Sequence, residues 1–398
     1  MGDGETRIEG YLDAADTRST LEAVRALGAG VGVSPGDPVP SRFTIEGVGL
    51  RGASPGAAID VGNAGTLLRL LPGWLAGQGA GEWTIDGDAS IRRRPVDRIA
   101  EPLRAMGALI ECREGRFSPL RIEGASLSGI EYRLPVASAQ IKSCLLFAGL
   151  LAEGETRVAE PARTRDHSER MLAAAGAEVG REGDVVTVRH AERLEPGQIV
   201  VPGDISSAAF FIVAASLVAG SDIRLEGVGL NPTRTGLLSV LGRMGADVEI
   251  EEGVSRGGEP AGALRVRAAS LRGTRVAGDE IPLAIDELPL VALAGCFAEG
   301  ETVIADAAEL RRKESDRIAT VAEALTALGG SAEATPDGIV VTGSGGLRGG
   351  TVSSHGDHRI AMLGAVAGLA SRDGAEVEGM EAAAVSYPGF ESDLASLH

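Results

Sequence analysis

The sequence is poor in aromatic residues, in cysteine and in long apolar runs, and each shortage excludes a class of protein. Aromatic residues make up 3% of the chain, so the core must be built mainly from Ala, Leu, Val and Ile. The three cysteines form no CxxC pair, and their odd number argues against a disulfide framework. The longest apolar run, at about residues 208–220, is too short to cross a bilayer, and no signal peptide begins the chain. We therefore expect a cytoplasmic protein that spans no membrane.

Positive charge is scarce as well, because the formal net charge is −18 at pH 7. Such a balance argues against nucleic acid or an anionic membrane surface as a partner. An anionic small molecule would need a local cluster of arginines that outweighs the overall field. The 398 residues are enough for two domains with full cores.

One sequence unit recurs along the chain. Gly-Glu-Thr-Arg at residues 4–7 returns at 154–157 and, with Val in last place, at 300–303; looser copies begin at residues 81, 220 and 374. Each copy opens a strand-like alternating run, and in the first five copies a helical pattern follows that ends in a glycine turn. Further strands connected by a turn, a polar motif and a strongly apolar helix complete the unit. The order is therefore βαβαββ, and six units predict two domains of three.

Five polar motifs precede the apolar helices, at the positions where capping residues belong. They lie at residues 62–66, 138–143, 203–207, 286–289 and 356–359. The first offers small residues and amides at a helix start, which suit a phosphate or carboxylate, although an ordinary capped helix would look the same. In the second, Ser138, Gln140 and Lys142 form a polar group that suits a polyhydroxylated anion.

The pair Asp286-Glu287 lies between two apolar stretches, residues 281–285 and 288–293. A carboxylate so placed is desolvated and could serve as a general base. The alternative is an aspartate that caps the following helix. Arg359 stands at the equivalent place in a later unit, where a guanidinium suits bidentate binding of a carboxylate or phosphate.

Residues 309–317 carry the densest charge in the chain, and apolar residues recur at helical spacing from Ile318 onward. This pattern predicts a helix opened by the charged segment. Cations oppose the dipole at a helix start, so an anionic ligand would explain their presence. The alternative is a solvated helix face with local ion pairs, and we keep that interpretation for Arg311 and Arg312.

Nine short motifs occur in the order found in the 5-enolpyruvylshikimate-3-phosphate synthases, and the chain resembles that family over essentially its whole length. The motifs lie at residues 63–66, 94–95, 138–140, 165–167, 202–204, 286–287, 313–317, 357–359 and 386–388. The resemblance implies the enolpyruvyl transferase fold, a mixed α/β (α+β) architecture in which two domains, each an inside-out α/β barrel of three βαβαββ repeats, close over the substrates. The domains would be residues 1–200 and 201–398, with a hinge near residues 201–204.

The resemblance also implies an activity. Members of the family transfer the enolpyruvyl (1-carboxyvinyl) group of phosphoenolpyruvate to the 5-hydroxyl of shikimate 3-phosphate and release phosphate by addition and elimination. Neither a metal nor an organic cofactor is implied. The expected partners are the two small-molecule substrates, and the expected state is a monomer.

Roles for individual residues follow from the same resemblance. Asp286 would act as the base and Glu314 as a proton-transfer partner. The residues implied to bind phosphoenolpyruvate are Gly65, Arg94, Gln140, Arg317 and Arg359. Those implied to bind shikimate 3-phosphate are Ser138, Ala139, Gln140, Arg165, Asp286 and Lys313. Gly65 leaves room beside phosphoenolpyruvate, which predicts sensitivity to glyphosate.

The chain departs from the family pattern at both ends. The family opens with a Pro-Gly-Asp-Lys-Ser segment and an arginine, none of which occurs here, and the repeats predict roughly 35 residues before Gly4. The first repeat is therefore incomplete, and we expect a chain of this sequence to be severely impaired or inactive. Val385 stands where some relatives carry a lysine.

Two other functions remain open from the sequence. UDP-N-acetylglucosamine enolpyruvyl transferase shares the repeat but uses a loop cysteine, whereas Cys112 lies in a strand-like run after a helix end. A non-enzymatic protein that binds one substrate without turnover is the second alternative.

Overall fold

The computed structural model describes residues 1–33, 42–253 and 257–397, and these form two compact units. Unit 1 contains residues 1–201 and 257–259, and unit 2 contains residues 202–253 and 260–397. Each unit is described by itself. The assignment of two three-repeat domains with a hinge near residues 201–204 stays a prediction.

The described part of unit 1 contains three four-stranded sheets of the same design. Its strands are β1 Asp3–Glu9, β2 Gly30–Val33, β3 Arg42–Val48, β4 Ala58–Asp60, β5 Glu82–Asp86, β6 Leu109–Arg113, β7 Phe117–Glu123, β8 Glu131–Arg133, β9 Glu155–Ala159, β10 Val179–Glu182, β11 Val185–Arg189 and β12 Gln198–Val200. The sheet orders are β12-β1-β3-β2, β4-β5-β7-β6 and β8-β9-β11-β10. In each sheet the first two strands are parallel and the other pairs antiparallel.

The helices of unit 1 fall into a buried and an amphipathic set. They are α1 Ala15–Ala26, α2 Gly65–Ala76, α3 Asp97–Ala105, α4 Ala139–Gly149 and α5 His167–Ala174, with a short 3-10 turn at Ile91–Arg93. Helices α2 and α4 are buried along most of their length and pack closely, since a Cβ at Gly73 would lie 2.0 Å from the carbonyl oxygen of Cys144. Only glycine fits such an approach of two backbones.

The described part of unit 2 is built around three buried helices, α6 Ile205–Leu217, α9 Leu288–Phe297 and α11 His358–Ala370, which pack on one another. The other helices are α7 Gly236–Met244, α8 Ile281–Ala284, α10 Arg317–Ala327 and α12 Phe390–Ala395. Its strands are β13 Asp222–Gly229, β14 Asp247–Glu252, β15 Ala261–Arg267, β16 Arg275–Val276, β17 Glu301–Ile304, β18 Ser331–Thr335, β19 Gly338–Thr342, β20 Gly350–Ser353 and β21 Ala375–Glu378. They form sheets ordered β13-β15-β14, β16-β17-β19-β18 and β20-β21.

The structure shows the repeated order of strands and helices that the sequence predicts. A strand follows each of the six marks, and the run β4-α2-β5-α3-β6-β7 has the βαβαββ order. The five glycines expected to end the first helices, at positions 28, 107, 176, 245 and 329, all have φ between +86° and +103°. Glycine adopts this left-handed conformation without the steric cost of a Cβ.

Two further observations bear on the sequence predictions. None of the helices in the described ranges is long and apolar enough to cross a bilayer. The charged segment does not itself open a helix: residues Ala308–Arg312 form a 3-10 turn, and α10 begins only at Arg317. Asp316 causes this start, because its side chain accepts a hydrogen bond from the amide of Ala319 at 3.2 Å and so caps the helix.

Candidate active site

The predicted polar motifs all lie at the starts of buried helices. Gly65 begins α2, Ala139 begins α4, Ile205 begins α6, Leu288 begins α9 and His358 begins α11. The repeated architecture therefore gives each unit a set of helix starts that carry polar side chains. The positive end of the helix dipole favours anions at such places.

In unit 1, Arg69 joins the starts of α2 and α4. Its Nη1 donates to the carbonyl oxygen of Gly65 at 3.2 Å and to Oε1 of Gln140 at 3.1 Å. The amide of Gln140 in turn donates to Thr66 Oγ1 at 3.0 Å. A Cβ at Gly65 would lie 2.8 Å from Arg94 Nη1. Gly65, Arg94 and Gln140, all expected to bind phosphoenolpyruvate, therefore lie together.

This group of side chains is strongly cationic. Burial lowers the pKa of Arg69, and the neighbouring charges of Arg94 and Arg98 lower it further. Among the described residues, no carboxylate lies within ion-pair distance of Arg69 or Arg94; Arg94 contacts the amide oxygen of Asn63 instead, at 3.3 Å. Two guanidinium groups that lie together, with no described carboxylate in direct contact, favour the binding of an anion.

The start of α4 presents Ser138 and Gln140 but not Lys142. Ser138 caps the helix, accepting a hydrogen bond from a backbone amide of the first turn at 3.4 Å. Lys142 is fully buried, with its ammonium 2.7 Å from Glu169 Oε1 and 3.0 Å from Glu160 Oε1. The expectation that Lys142 faces an anionic ligand is therefore wrong. Its charge is satisfied inside unit 1, as a buried ammonium requires.

Arg165 and Ala139 occupy neighbouring segments of unit 1. Ala139 is the first residue of α4, and Arg165 lies in the loop before α5. The two helices are joined near their starts by a hydrogen bond of 2.7 Å between the hydroxyls of Ser143 and Ser168. The residues expected to bind shikimate 3-phosphate in this unit thus lie on two connected helix starts.

In unit 2, Asp286 lies among three cations. Its Oδ1 is 3.0 Å from the ammonium of Lys313 and 3.5 Å from Nη1 of Arg317, and its Oδ2 is 3.8 Å from Nη1 of Arg234. The cap of α9 is Glu287, without a side-chain hydrogen bond, so Asp286 does not act as a helix cap. A nearly buried carboxylate that faces three cations differs from an ordinary surface acid.

Arg317 is the buried centre of this group, with a side chain only 1% exposed. It forms a two-pronged contact with Asp357, at 2.8 and 3.2 Å, and its Nη2 donates to Glu314 at 2.6 Å. Burial alone would raise the pKa of Asp357, but the hydrogen bonds and charge of Arg317 outweigh it and hold that pKa below its usual value. Arg359 completes the group, since its Nη1 donates to the backbone carbonyl of Asp286 at 3.1 Å.

The structure therefore brings together all five residues expected in unit 2: Asp286, Lys313, Glu314, Arg317 and Arg359. Glu314 is 46% exposed and Lys313 29%, so both side chains reach solvent while Arg317 does not. No group of three or more His, Cys, Asp or Glu side chains that could hold a metal ion is found in the described ranges.

Comparisons with known proteins identify the family of the chain. The sequence profile of EPSP synthase (3-phosphoshikimate 1-carboxyvinyltransferase) matches residues 1–394. The chain belongs to the EPSP synthase family. The proteins named 3-phosphoshikimate 1-carboxyvinyltransferase from Alkalilimnicola ehrlichii and Synechococcus sp. are each 51% identical to it; the first alignment covers 98% of this chain and 87% of the relative, the second 100% and 89%.

Solved structures confirm the fold. An EPSP synthase from Acinetobacter baumannii superposes with a TM-score of 0.91 at 44% identity, covering 100% of this chain and 90% of that one. The enolpyruvyl transferase NikO from Streptomyces tendae gives a TM-score of 0.78 at 20% identity, covering 100% of this chain and 89% of that one. The second likeness bears on the fold alone.

Cys112 does not have the character of a catalytic thiol in this EPSP synthase family member. It lies in strand β6, as the sequence predicted, and not in a loop. Burial raises its pKa, against a smaller opposing effect of Arg104. A nucleophilic cysteine needs the opposite shift, because the thiolate is the reactive form.

Two arginines that lie beside the expected site residues, Arg69 in unit 1 and Arg234 in unit 2, escaped the sequence prediction. The sequence pattern could have indicated Arg69 as a site residue. It is a lone charge in α2, whose other residues are almost all apolar, and it stands one turn after Gly65. No sequence signal indicates Arg234, because it lies in the loop between β13 and α7 with no periodic pattern around it. Only the fold brings it to Asp286.

Proposed function

We propose that this chain transfers the 1-carboxyvinyl group of phosphoenolpyruvate to the 5-hydroxyl of shikimate 3-phosphate and releases phosphate. Membership of the EPSP synthase family supports the reaction. The observation that carries the residue assignments is the environment of Asp286, with Lys313, Arg317 and Arg234 around its carboxylate and Glu314 one contact away.

The cations around Arg69 in unit 1 and around Asp286 in unit 2 suit these substrates. Both substrates carry a phosphate, and each also carries a carboxylate, so their binding requires several cations. We assign phosphoenolpyruvate to Gly65, Arg94, Gln140, Arg317 and Arg359. We assign shikimate 3-phosphate to Ser138, Ala139, Gln140, Arg165, Asp286 and Lys313. The guanidinium groups of Arg69 and Arg94, which contact no carboxylate within the described ranges, support the part of this assignment that lies in unit 1.

The reaction needs one base and one proton donor. Asp286 accepts the proton of the 5-hydroxyl as the hydroxyl oxygen bonds to C2 of phosphoenolpyruvate, while Glu314, as the general acid, donates a proton to C3, which becomes a methyl group. In the second half the C2–O bond to phosphate breaks, and the methyl group loses a proton to restore the double bond. Glu314 takes that proton back, the departing phosphate takes the proton held by Asp286, and Lys313 and Arg317 stabilise the negative charge.

An assay of phosphate release with both substrates tests this function. It also tests the expectation of severely impaired turnover, which near-normal phosphate release would contradict. Phosphate should appear in equal amount to a product that carries the enolpyruvyl ether, and only when both substrates are present. Phosphate release with UDP-N-acetylglucosamine as acceptor would favour the sister activity. Calorimetric binding of shikimate 3-phosphate with no product at any enzyme concentration would favour a binding protein.

We also propose that the enzyme acts in the cytoplasm as a monomer. Support comes from its small-molecule substrates. Light scattering during gel filtration should then give a mass near 40.6 kDa. A mass near twice that value would contradict the proposal.

Replacing Gly65 by alanine should raise KM for phosphoenolpyruvate about tenfold and leave the fold intact. The added methyl group would stand 2.8 Å from Arg94 Nη1 and 3.2 Å from Arg69 Nη1. Both atoms end flexible side chains, so they move aside, and the cations then lie away from their binding positions. Steady-state kinetics and thermal unfolding provide the measurement. Gly79→Ala is the matched control, since nothing lies within 4 Å of a Cβ there. Equal KM values in the two variants would contradict the assignment.

A further inference from the structure

A chain of buried polar groups lies next to Asp286, and the reaction as proposed gives it no role. Glu287 and Ser206 are each 2% exposed, and the side chain of Arg234 is 12% exposed. The hydroxyl of Ser206 donates to Oε1 of Glu287 and accepts a hydrogen bond from Nη2 of Arg234. The three groups therefore form one continuous chain inside unit 2.

Both ends of this chain reach residues assigned to substrate. At one end, Nη1 of Arg234 is 3.8 Å from Oδ2 of Asp286. At the other, Oε1 of Glu287 is 3.8 Å from Nη1 of Arg359, the same nitrogen that donates to the carbonyl of Asp286. Arg359 is thus held from two sides by consecutive residues, Asp286 through its backbone and Glu287 through its carboxylate.

The order of charges in this chain explains why it is stable. A buried carboxylate is costly unless cations and hydrogen bonds compensate it. Glu287 faces the guanidinium of Arg359 directly and that of Arg234 through the hydroxyl of Ser206. A serine hydroxyl donates one hydrogen bond and accepts others, so it can connect an anion and a cation at the same time. Networks in which every member is satisfied hold their side chains in one arrangement.

We propose that Glu287, supported by Ser206 and Arg234, is a positioning residue that fixes the guanidinium of Arg359 for phosphoenolpyruvate. Glu287 acts through Arg359 and does not touch the substrate. The inference rests on the proposed function, because it takes Arg359 as a phosphoenolpyruvate ligand. The inference predicts that removal of the Glu287 charge weakens the binding of phosphoenolpyruvate and leaves folding unchanged.

The test is the variant Glu287→Gln, which keeps the shape of the side chain and an oxygen that accepts from Ser206 but removes the charge facing Arg359. We expect KM for phosphoenolpyruvate to rise about tenfold, with kcat and the Kd of shikimate 3-phosphate changed less than threefold. Circular dichroism and thermal unfolding should show a folded protein. Glu309→Gln is the matched control, since Glu309 is a surface residue, 69% exposed, that pairs with the exposed Arg312.

The double variant Ser206→Ala with Glu287→Gln tests the connection itself. If the two residues act through one chain, the double variant should raise KM no more than the worse single variant, whereas independent effects would multiply. A folded Glu287→Gln variant with unchanged KM, or multiplying effects, overturns the inference and leaves the proposed function intact. A parent protein that neither turns over nor binds phosphoenolpyruvate contradicts the proposed function and this inference together.

Discussion

Asp286→Asn is expected to lower kcat about 10²–10⁴-fold while the Kd of shikimate 3-phosphate changes only a few-fold. The amide has nearly the same shape as the carboxylate but cannot take up the proton of the attacking hydroxyl. The three cations around position 286, Lys313, Arg317 and Arg234, remain in place without the negative charge that faces them now. Binding of an anionic substrate therefore has little reason to weaken.

Phosphate release measures the loss of turnover, and calorimetry with shikimate 3-phosphate alone measures the binding. Asp279→Asn is the matched control, because Asp279 is an exposed residue of a short 3-10 turn on the same stretch of chain. It should behave as the parent protein. A kcat within threefold of the parent would show that Asp286 is not the base. Loss of binding in proportion to kcat would make Asp286 a substrate ligand first.

Much of the fold was predictable from the sequence because it is a repeat. Equivalent positions in the copies adopt the same secondary structure, so a weak strand or helix pattern in one copy is supported by clearer patterns in the others. The glycines that end the first helices were predictable for a local reason: the left-handed conformation at Gly107 or Gly245 depends on its own turn alone. The positions of the polar motifs at helix starts followed from the same unit.

Side-chain orientation on the buried helices was not predictable in this way. Helix α4 is buried on all sides, from Ile141 to Leu146, so its sequence has no polar face that indicates which way Lys142 points. The partners of that lysine, Glu160 and Glu169, come from β9's end and from α5. Only tertiary packing decides that they, and not a ligand, neutralise the ammonium.

Local sequence patterns predict only some of the contacts made by the charged segment at residues 309–317. The prediction of ordinary surface charge holds for Arg312, which is 73% exposed and pairs with Glu309. Arg311 also makes a local ion pair, with Asp316 at 2.6 Å, and in addition donates to the backbone carbonyls of Thr335 and Pro336 at 2.6 and 2.9 Å. The contact of Arg317 with Asp357 joins residues that are 40 positions apart, and no sequence pattern specified it.

Arg317→Met should destabilise unit 2 by about 3–5 kcal/mol near neutral pH, the largest stability effect that we expect from a single change. The guanidinium is 1% exposed and Asp357 is fully buried, so the variant leaves a charged carboxylate without its cation. Methionine fills much of the space, which keeps the loss electrostatic and not a cavity effect. Denaturant unfolding followed by circular dichroism, with the free energy of unfolding taken at pH 7 and at several acid values, gives the measurement.

The loss of stability in Arg317→Met should depend on pH. Arg317 holds the pKa of Asp357 below its usual value, so the pair stabilises the parent protein above about pH 4 and the contribution is lost as the pH falls through the lowered pKa. In the variant, burial without a cation raises the pKa of Asp357. Protonation of Asp357 in acid then removes the free-energy cost of a buried charge that has no cation beside it. The free-energy difference between parent and variant should therefore narrow as the pH falls. Arg312→Met, at an exposed position of the same segment, should show no measurable difference at any pH. A gap for Arg317→Met that stays constant from pH 7 to pH 4 would mean that packing, and not the buried charge of Asp357, accounts for the loss.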